Sequence, residues 1–500
     1  MTPITRVLVA NRGEIALRII RACHEEGLEA VAVYSTADRL SPHVRAADLA
    51  VEIGGAAPSE SYLRIDRLLE AATATGAQAI HPGYGFLAER AAFAEAVEQA
   101  GLIFIGPPSS AIRAMGDKTE ARRRMRAAGL PVVPGADAPV TDLAAALALS
   151  DEMGYPVMVK AAAGGGGKGM RVVRARDGLE EALATASSEA RKAFGDASVY
   201  IEKFIERPRH VEIQVLADAT RTVHLGEREC SVQRRHQKVL EEAPSVAVDA
   251  ALRERMGAAA VAAAAAVGYR SAGTCEFLLA ADGSFYFLEM NTRIQVEHPV
   301  TELVYGIDLV REQLRIARGL PMRVPAGPLT PNGWAVECRI TSEDPGNGFL
   351  PSTGRLEYLR VPAGPGVRWD SGVEVGTEVT LHYDSMVAKL IVWGPDRGEA
   401  LRRMARALDE LVIVGVASNQ GFQRRLVTDP AFVAGHIDIQ FLDRRPDLAE
   451  ALPCAELTRA AAIAAALAED AARHARKPAV AESDAAHSAW FTAARVEGLR

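Results

Sequence analysis

Phe285-Tyr286-Phe287-Leu288-Glu289-Met290-Asn291-Thr292-Arg293-Ile294-Gln295-Val296-Glu297-His298-Pro299 is the stretch on which the reading of this 500-residue chain turns. Its first four residues are apolar and read as a buried strand. In an extended chain, side chains two apart share a face. Glu289, Asn291, Arg293, Gln295 and Glu297 would then all point one way. Two acids, a cation and two amides on one surface do not suit a core, where an unpaired charge costs on the order of several kcal/mol. They suit a hard metal ion and an anionic substrate.

Working upstream, Thr274-Cys275-Glu276-Phe277-Leu278 reads as a second apolar strand. Asp282-Gly283 between the two strands is a strong hairpin signal. The hairpin would set Glu276 beside Glu289, where the two carboxylates can share a cation and Asn291 can add a third oxygen. Carboxylate and phosphate oxygens together are typical magnesium ligands. An acid pair at a sheet edge is the plainer alternative.

Gly164-Gly165-Gly166-Gly167-Lys168-Gly169 offers backbone N–H groups to an anion without steric cost. The usual phosphate loop needs Ser or Thr after Gly-Lys and leads into a helix. Here Gly169-Met170 follows, and the flanks Val157 to Lys160 and Met170 to Val173 read as strands. The run is therefore expected to be a mobile hairpin tip, suited to a lid over nucleotide phosphates. Lys118 and Lys160 could add positive charge there. Gln233-Arg234-Arg235-His236-Gln237-Lys238 forms a basic cluster that could hold an oxyanion. It could equally be a solvated face neutralised by Glu241 and Glu242.

Further out, Arg6 to Ala10, Ala30 to Tyr34, Ala79-Ile80 and Leu102 to Ile105 read as strands alternating with helices. That pattern predicts a doubly wound parallel sheet, which binds ligands beyond the carboxyl ends of its strands. Asn11-Arg12-Gly13 and His81-Pro82-Gly83-Tyr84-Gly85 sit at such ends. Pro325 and Pro331 open a third unit with strands Ala335 to Ile340 and Met386 to Val392. From about Pro446 the chain turns alanine-rich and reads as a helical or partly disordered tail.

Hydrophobic residues make up 49% and charged residues 24%, ample for the core of a soluble enzyme of roughly three domains. A net charge of −7 argues against nucleic acid as the main partner. Cys23, Cys230, Cys275, Cys338 and Cys454 are scattered and lack a C-x-x-C spacing, which fits reduced thiols in a cytoplasm. The N-terminus shows no signal-peptide pattern. The apolar stretch Met256 to Val267 is too short to span a bilayer, which takes about 20 residues.

Jointly, His81 to Leu87, Met115-Gly116-Asp117-Lys118, Gly164 to Met170, Gln233 to Lys238 and Glu289 to Pro299 resemble biotin carboxylase. This is the ATP-grasp component of the biotin-dependent carboxylases. The resemblance runs in the family's motif order from Arg6 to about Leu442. It implies an N-terminal doubly wound domain over 1–114 and an ATP-grasp domain over 115–325, with a glycine-rich lid near 131–203. A C-terminal α+β domain over 331–445 and the tail 446–500 would follow.

The activity implied is formation of N1-carboxybiotin from ATP, bicarbonate and biotin by way of carboxyphosphate, with Mg2+ or Mn2+. This would be the first half-reaction of an acyl-CoA carboxylase. Lys118, Lys160, Gly165, Gly166, Gly167, Met170, His210, Gln233 and His236 look like nucleotide ligands. Glu202, Lys203 and Ile205 look like the strand that contacts adenine, with Leu278 packing on the ring. Glu276, Glu289 and Asn291 resemble the metal ligands, and Glu297 the base that deprotonates bicarbonate. Lys238, Arg293, Gln295 and Val296 resemble the bicarbonate set. Arg339 resembles the residue that stabilises the biotin enolate, and Tyr84 part of the biotin pocket.

The partners implied are a biotin carrier protein or domain and a carboxyltransferase, with a homodimer or larger complex. Ser488 to Arg495 resembles the linker after the carboxylase domain of acyl-CoA carboxylase alpha subunits. An Ala-Met-Lys-Met carrier motif does not occur in these 500 residues, so the carrier is expected on another polypeptide or beyond the segment. Ala88-Glu89-Arg90 stands where the family more often has Ser-Glu-Asn. The competing readings are another ATP-grasp ligase that activates a carboxylate as an acyl phosphate, and a non-catalytic nucleotide-binding partner.

Overall fold

The computed structural model describes residues 3–136, 139–140, 142–161, 170–194, 198–450 and 455–475. The hairpin tip expected at Gly164 to Gly169 lies outside the described residues, as do the side chains of Lys118 and Met170. The chain divides into two compact units, Met1–Ala449 and Glu450–Arg500.

A five-stranded parallel sheet opens the first unit, with strands ordered Leu49–Gly54, Glu29–Ser35, Arg6–Val9, Ala79–His81 and Ile103–Phe104. The expected strands are there, and Leu49–Gly54 adds an edge strand that the sequence reading missed. Its burial is weak, with Leu49 and Ala50 exposed, so it lacks the apolar run that marks an inner strand. Helix Gly13–Glu25 buries Ile15, Ala16, Ile19, Ile20 and Cys23 at helical spacing against this sheet. The turn before it uses Gly13 at φ +66°. There the Asn11 amide donates to the carbonyls of Pro82 and Tyr84 at 2.7 Å each, tying together two loops at the carboxyl ends of the strands.

The second sheet is antiparallel and eight-stranded. Its order is Phe285–Asn291, Ser271–Leu279, Arg209–Ala217, Thr222–Arg234, Gln237–Ala243, Trp334–Thr341, Met386–Gly394 and Val367–Ser371. Gln237–Ala243 pairs directly with Trp334–Thr341, so one sheet runs through residues on both sides of Pro325 and Pro331. The sequence had suggested separate units there. Helix Ala250–Ala266 packs on the sheet through Met256, Ala260, Ala263 and Ala264. Small side chains let it lie close.

A smaller sheet of Met170–Val173, Val157–Ala161 and Val199–Lys203 stands apart with its own core of Val157, Val159, Val173, Leu179 and Ile201. In the second unit, helix Ala455–Ala475 agrees with the helical reading of the tail. No helix among the described residues is long and apolar enough to cross a membrane.

Candidate active site

The predicted hairpin forms, with Gly283 at φ +81° in its turn and Glu276 directly opposite Glu289. A bulge between Glu276 and Phe277 shifts the register. Phe277, Phe287 and Met290 can then face the core while Glu289 and Asn291 face away. The same bulge leaves Leu288 41% exposed, although the sequence placed it in a buried run.

The extended chain ends at Asn291, so the expected alternation does not carry Arg293, Gln295 and Glu297. Ile294 turns into the same core as Ile15, and a loop delivers its neighbours to the site before helix His298–Tyr305 begins. The residues converge, but through a loop anchored by one apolar side chain rather than through a strand face.

They converge on a cleft of about 1020 Å3. Its lining includes Tyr84, His210, Gln233, His236, Lys238, Leu278, Glu289, Asn291, Arg293, Gln295, Val296 and Arg339, with Glu276 and Glu297 among them. Of the expected residues, these fourteen meet at one place. Lys160, Glu202, Lys203 and Ile205 do not line the cleft and belong to the smaller sheet or its exit. Glu202 there pairs with Arg122 and Lys160, and the Lys203 ammonium donates to the carbonyls of Gly154 and Tyr155 at 2.9 and 3.2 Å.

The basic cluster is a hairpin whose turn, Arg235 to Gln237, is exposed. Strands Thr222–Arg234 and Gln237–Ala243 are joined by Arg235 and His236, both at positive φ. That turn aims Lys238 inward, where its ammonium lies 2.6 Å from Glu212, 3.0 Å from Glu276 and 2.6 Å from Glu297. Burial alone would lower the Lys238 pKa, but Cys230 and these three acids outweigh it and hold it well above the usual lysine range.

Glu297 is clamped from two sides. Arg339 donates to its second oxygen at 2.9 Å and to Glu241 at 2.6 Å. Burial pushes the Glu297 carboxyl up, yet Lys238, Arg339 and Arg228 hold it well below the usual carboxylate range. Glu241 carries the opposite balance: burial dominates, and its pKa is pushed up to about 7 despite Arg339. The sequence had paired Glu241 and Glu242 with the basic run, but they face opposite sides of the strand. Glu242 accepts from Trp334 and Arg397, both at 2.7 Å.

Beneath the cleft lies Arg228, fully buried and missed by the sequence reading. It donates to Glu212 at 2.5 Å, Gln214 at 2.7 Å, Thr301 at 2.9 Å, Thr274 at 3.1 Å and Gln295 at 2.6 Å. Gln295 in turn donates to Glu276 at 2.9 Å. A lone arginine within a strand carries no sequence signal of such a role. Glu89 was also missed: it accepts from Arg293 at 2.9 Å and from the Thr292 N–H at 3.1 Å. His81, quoted as part of a motif, is wholly buried and accepts from the Gly83 N–H at 3.0 Å. It braces the loop that carries Tyr84.

The donor set at the hairpin fits a hard cation. Glu276 and Glu289 face each other across the strands, and the Asn291 amide lies 2.8 Å from Glu276. His210, Glu212 and Glu276 also bring ligand atoms within 4.8 Å of one another. Carboxylate and amide oxygens dominate this set, which is magnesium's preference. Lysine and imidazole neighbours hold the Glu276 carboxyl ionised, since Lys238 and His210 outweigh burial.

Comparison with known proteins agrees with this geometry. Residues 3–112 match the family described as Biotin carboxylase, N-terminal domain, and residues 337–444 the Biotin carboxylase C-terminal domain. Between them, residues 117–324 match the Carbamoyl-phosphate synthase L chain, ATP binding domain. The chain is 53% identical over 438 residues to the biotin carboxylase of Nostoc sp., covering 87% of this chain and 98% of that protein. It is 53% identical over 440 residues to a pyruvate carboxylase subunit of Methanothermobacter thermautotrophicus, covering 88% and 89%.

Among solved structures, the biotin carboxylase domain of Hydrogenobacter thermophilus 2-oxoglutarate carboxylase superposes with a TM-score of 0.83 at 45% identity, covering 91% of this chain and all of that one. That structure is a domain dimer in complex with MgADP, ADP and bicarbonate. The chain thus belongs to the biotin carboxylase family of ATP-dependent ligases, whose reaction is the ATP- and bicarbonate-dependent carboxylation of biotin.

Proposed function

We propose that Glu297 is the general base of this reaction and that Lys238 and Arg339 set its basicity. The observation that carries the reading is the double clamp, 2.6 Å from Lys238 and 2.9 Å from Arg339, at the floor of the cleft. In the free enzyme the clamp keeps Glu297 ionised and a weak base. Bicarbonate and the ureido oxygen of biotin draw Lys238 and Arg339 partly onto themselves. Glu297 then binds a proton more tightly, at the moment when bicarbonate must lose one to attack the γ-phosphate. Arg339 cannot lose its charge, which suits it to stabilise the enolate that takes up the carboxyl group.

Lys238, Arg293, Gln295 and Val296 would hold bicarbonate, and Tyr84 with Arg339 the ureido ring. Glu276, Glu289 and Asn291 would hold magnesium, which when bound offsets negative charge on the phosphates. We assign His210, Gln233, His236 and Leu278 to the nucleotide. Exposed Leu288, also in the lining, adds apolar surface beside Leu278. Lys118, Lys160, Gly165, Gly166, Gly167, Met170, Glu202, Lys203 and Ile205 are assigned to the nucleotide by their motifs, and a lid over about 131–203 would close over it and exclude water from carboxyphosphate.

We assign the domains as 1–114, 115–325, 331–445 and 446–500. The partners proposed are a biotin carrier and a carboxyltransferase, with the carboxyltransferase choosing the final acceptor, an acyl-CoA in this reading. The dimeric solved domain and the relative from a pyruvate carboxylase support a homodimer within a larger complex. Buried, unpaired Cys23, Cys230, Cys275 and Cys338 support a cytoplasmic location.

The test is ATP cleavage measured with bicarbonate, with and without free biotin. Stimulation by biotin is expected. Its absence in folded, nucleotide-binding protein contradicts the reading and favours an ATP-grasp ligase for another carboxylate.

A further inference from the structure

Lys389 is a lysine with no exposed surface, among the largest fully buried side chains of the molecule. It sits mid-strand in Met386–Gly394, opposite Arg339 on one side and Asp370 on the other. A buried ammonium costs on the order of several kcal/mol unless it is paired and hydrogen-bonded. Asp370 is already taken by Arg368, which donates to it from Nε and Nη2 at 3.0 and 2.7 Å. Lys389 makes its contacts elsewhere. It donates to the Val296 carbonyl at 2.8 Å, lies 3.2 Å from the Glu14 carboxylate, and sits 6.0 Å from the centre of the Tyr84 ring. The Tyr84 hydroxyl donates to the same Glu14 oxygen.

These contacts join two parts of the cleft that come from distant sequence. Val296 belongs to the loop that delivers Glu297. The peptide unit between Val296 and Glu297 is planar, so fixing the Val296 carbonyl fixes the plane that leads into Glu297. Glu14 stands in the first turn of helix Gly13–Glu25, and Tyr84 follows the strand Ala79–His81. No loop residue between Asn291 and His298 other than Ile294 has an apolar anchor in the core, so the loop depends on polar contacts for its position.

We infer that Lys389 is a positioning residue that locks the Val296–Glu297 peptide to the Glu14–Tyr84 wall, so that base and biotin wall are held as one unit. The inference rests on the roles proposed above for Glu297 and Tyr84. Lys389 touches neither nucleotide ligands nor the hairpin carboxylates. Its loss is therefore felt in bicarbonate and biotin handling rather than in ATP binding.

The experiment compares Lys389→Met, Lys389→Gln and Lys389→Arg with the unaltered protein, reading KM for bicarbonate, biotin and ATP separately from kcat. Misplacing a reacting group by about 1 Å can cost on the order of 100-fold. For Lys389→Met, KM for bicarbonate should rise about tenfold or more while KM for ATP stays within about twofold. Lys389→Arg, which keeps a charged donor, should recover most of that loss. Unchanged kcat and KM for bicarbonate, or a rise in KM for ATP equal to that for bicarbonate with no recovery by Arg, marks Lys389 as merely structural and overturns the inference.

If Lys389→Met does not fold, Lys389→Gln decides. It lacks the charge but keeps an N–H donor, and it should show the same split between bicarbonate and ATP at smaller size. Equal kcat and KM values for Lys389→Gln and the unaltered protein overturn the inference alone. Failure of the unaltered protein to show bicarbonate- and biotin-dependent ATP cleavage overturns the functional reading and the inference together.

Discussion

The Glu297 carboxylate lies 2.6 Å from the Lys238 ammonium, and that ammonium also reaches Glu212 and Glu276. One cation thus ties the proposed base to the carboxylate proposed to hold magnesium. In the proposed mechanism, capture of bicarbonate by Lys238 would weaken its hold on Glu297.

Arg339 bridges Glu297 and Glu241. Arg339→Ala should impair carboxylation of biotin more than it impairs bicarbonate-dependent ATP cleavage, because the enolate needs the guanidinium itself, whereas Lys238 still holds Glu297 for the phosphoryl transfer. Both rates are read on the same protein, one as carboxybiotin and one as ADP. Equal loss of the two would remove the role assigned to this arginine.

Glu276→Gln replaces a charged oxygen donor by an amide at the hairpin. The magnesium concentration needed for half-maximal activity should rise about tenfold or more, the scale on which even residues behind a metal ligand act. A titration of activity against magnesium at saturating ATP checks this. An unchanged midpoint would place the metal elsewhere.

Arg228→Met should destabilise the fold by about 3–5 kcal/mol, because Glu212 is left charged and buried without its guanidinium. Denaturant unfolding measures it. A loss under about 1 kcal/mol would show that Lys238 alone satisfies Glu212.

How much of this was legible differs residue by residue. The strand–turn–strand around Asp282-Gly283 could be read because its signals are local: apolar runs on both sides and a glycine that takes positive φ. The bulge that exposes Leu288 left no trace, since nothing in Phe287-Leu288-Glu289 distinguishes a shifted register from a regular one. The turn at Arg235-His236 was hidden for a related reason. Both residues hold positive φ without being glycine or asparagine, so the segment looked like a charge run. Arg228, Lys389, Glu14 and Glu89 acquire their roles only when strands from distant sequence meet, and spacing cannot reveal that. The motif residues from Glu289 to Glu297 were legible as a set, although a loop and not a strand face brings them together.

His81 gives a pH dependence with a defined sign. Burial drives its pKa down from 6.5 to about 3. The folded protein therefore binds this proton less readily than the unfolded chain. The stability it supports is intact above pH 6.5 and is lost as pH falls from 6.5 toward 3, by up to about 1.4 kcal/mol per pH unit. Thermal unfolding of His81→Gln and the unaltered protein between pH 7 and 5 checks this. The variant should show the shallower acid decline, and parallel curves would mean His81 does not contribute.

Single-turnover ATP cleavage at saturating bicarbonate, compared between the unaltered protein and Glu297→Gln with nucleotide affinity measured alongside, tests the base most directly. The account predicts cleavage slower by about 100-fold or more, the usual scale for a lost general base, with nucleotide affinity unchanged. Cleavage within a few-fold of the unaltered rate would contradict it and pass the role of base to another group.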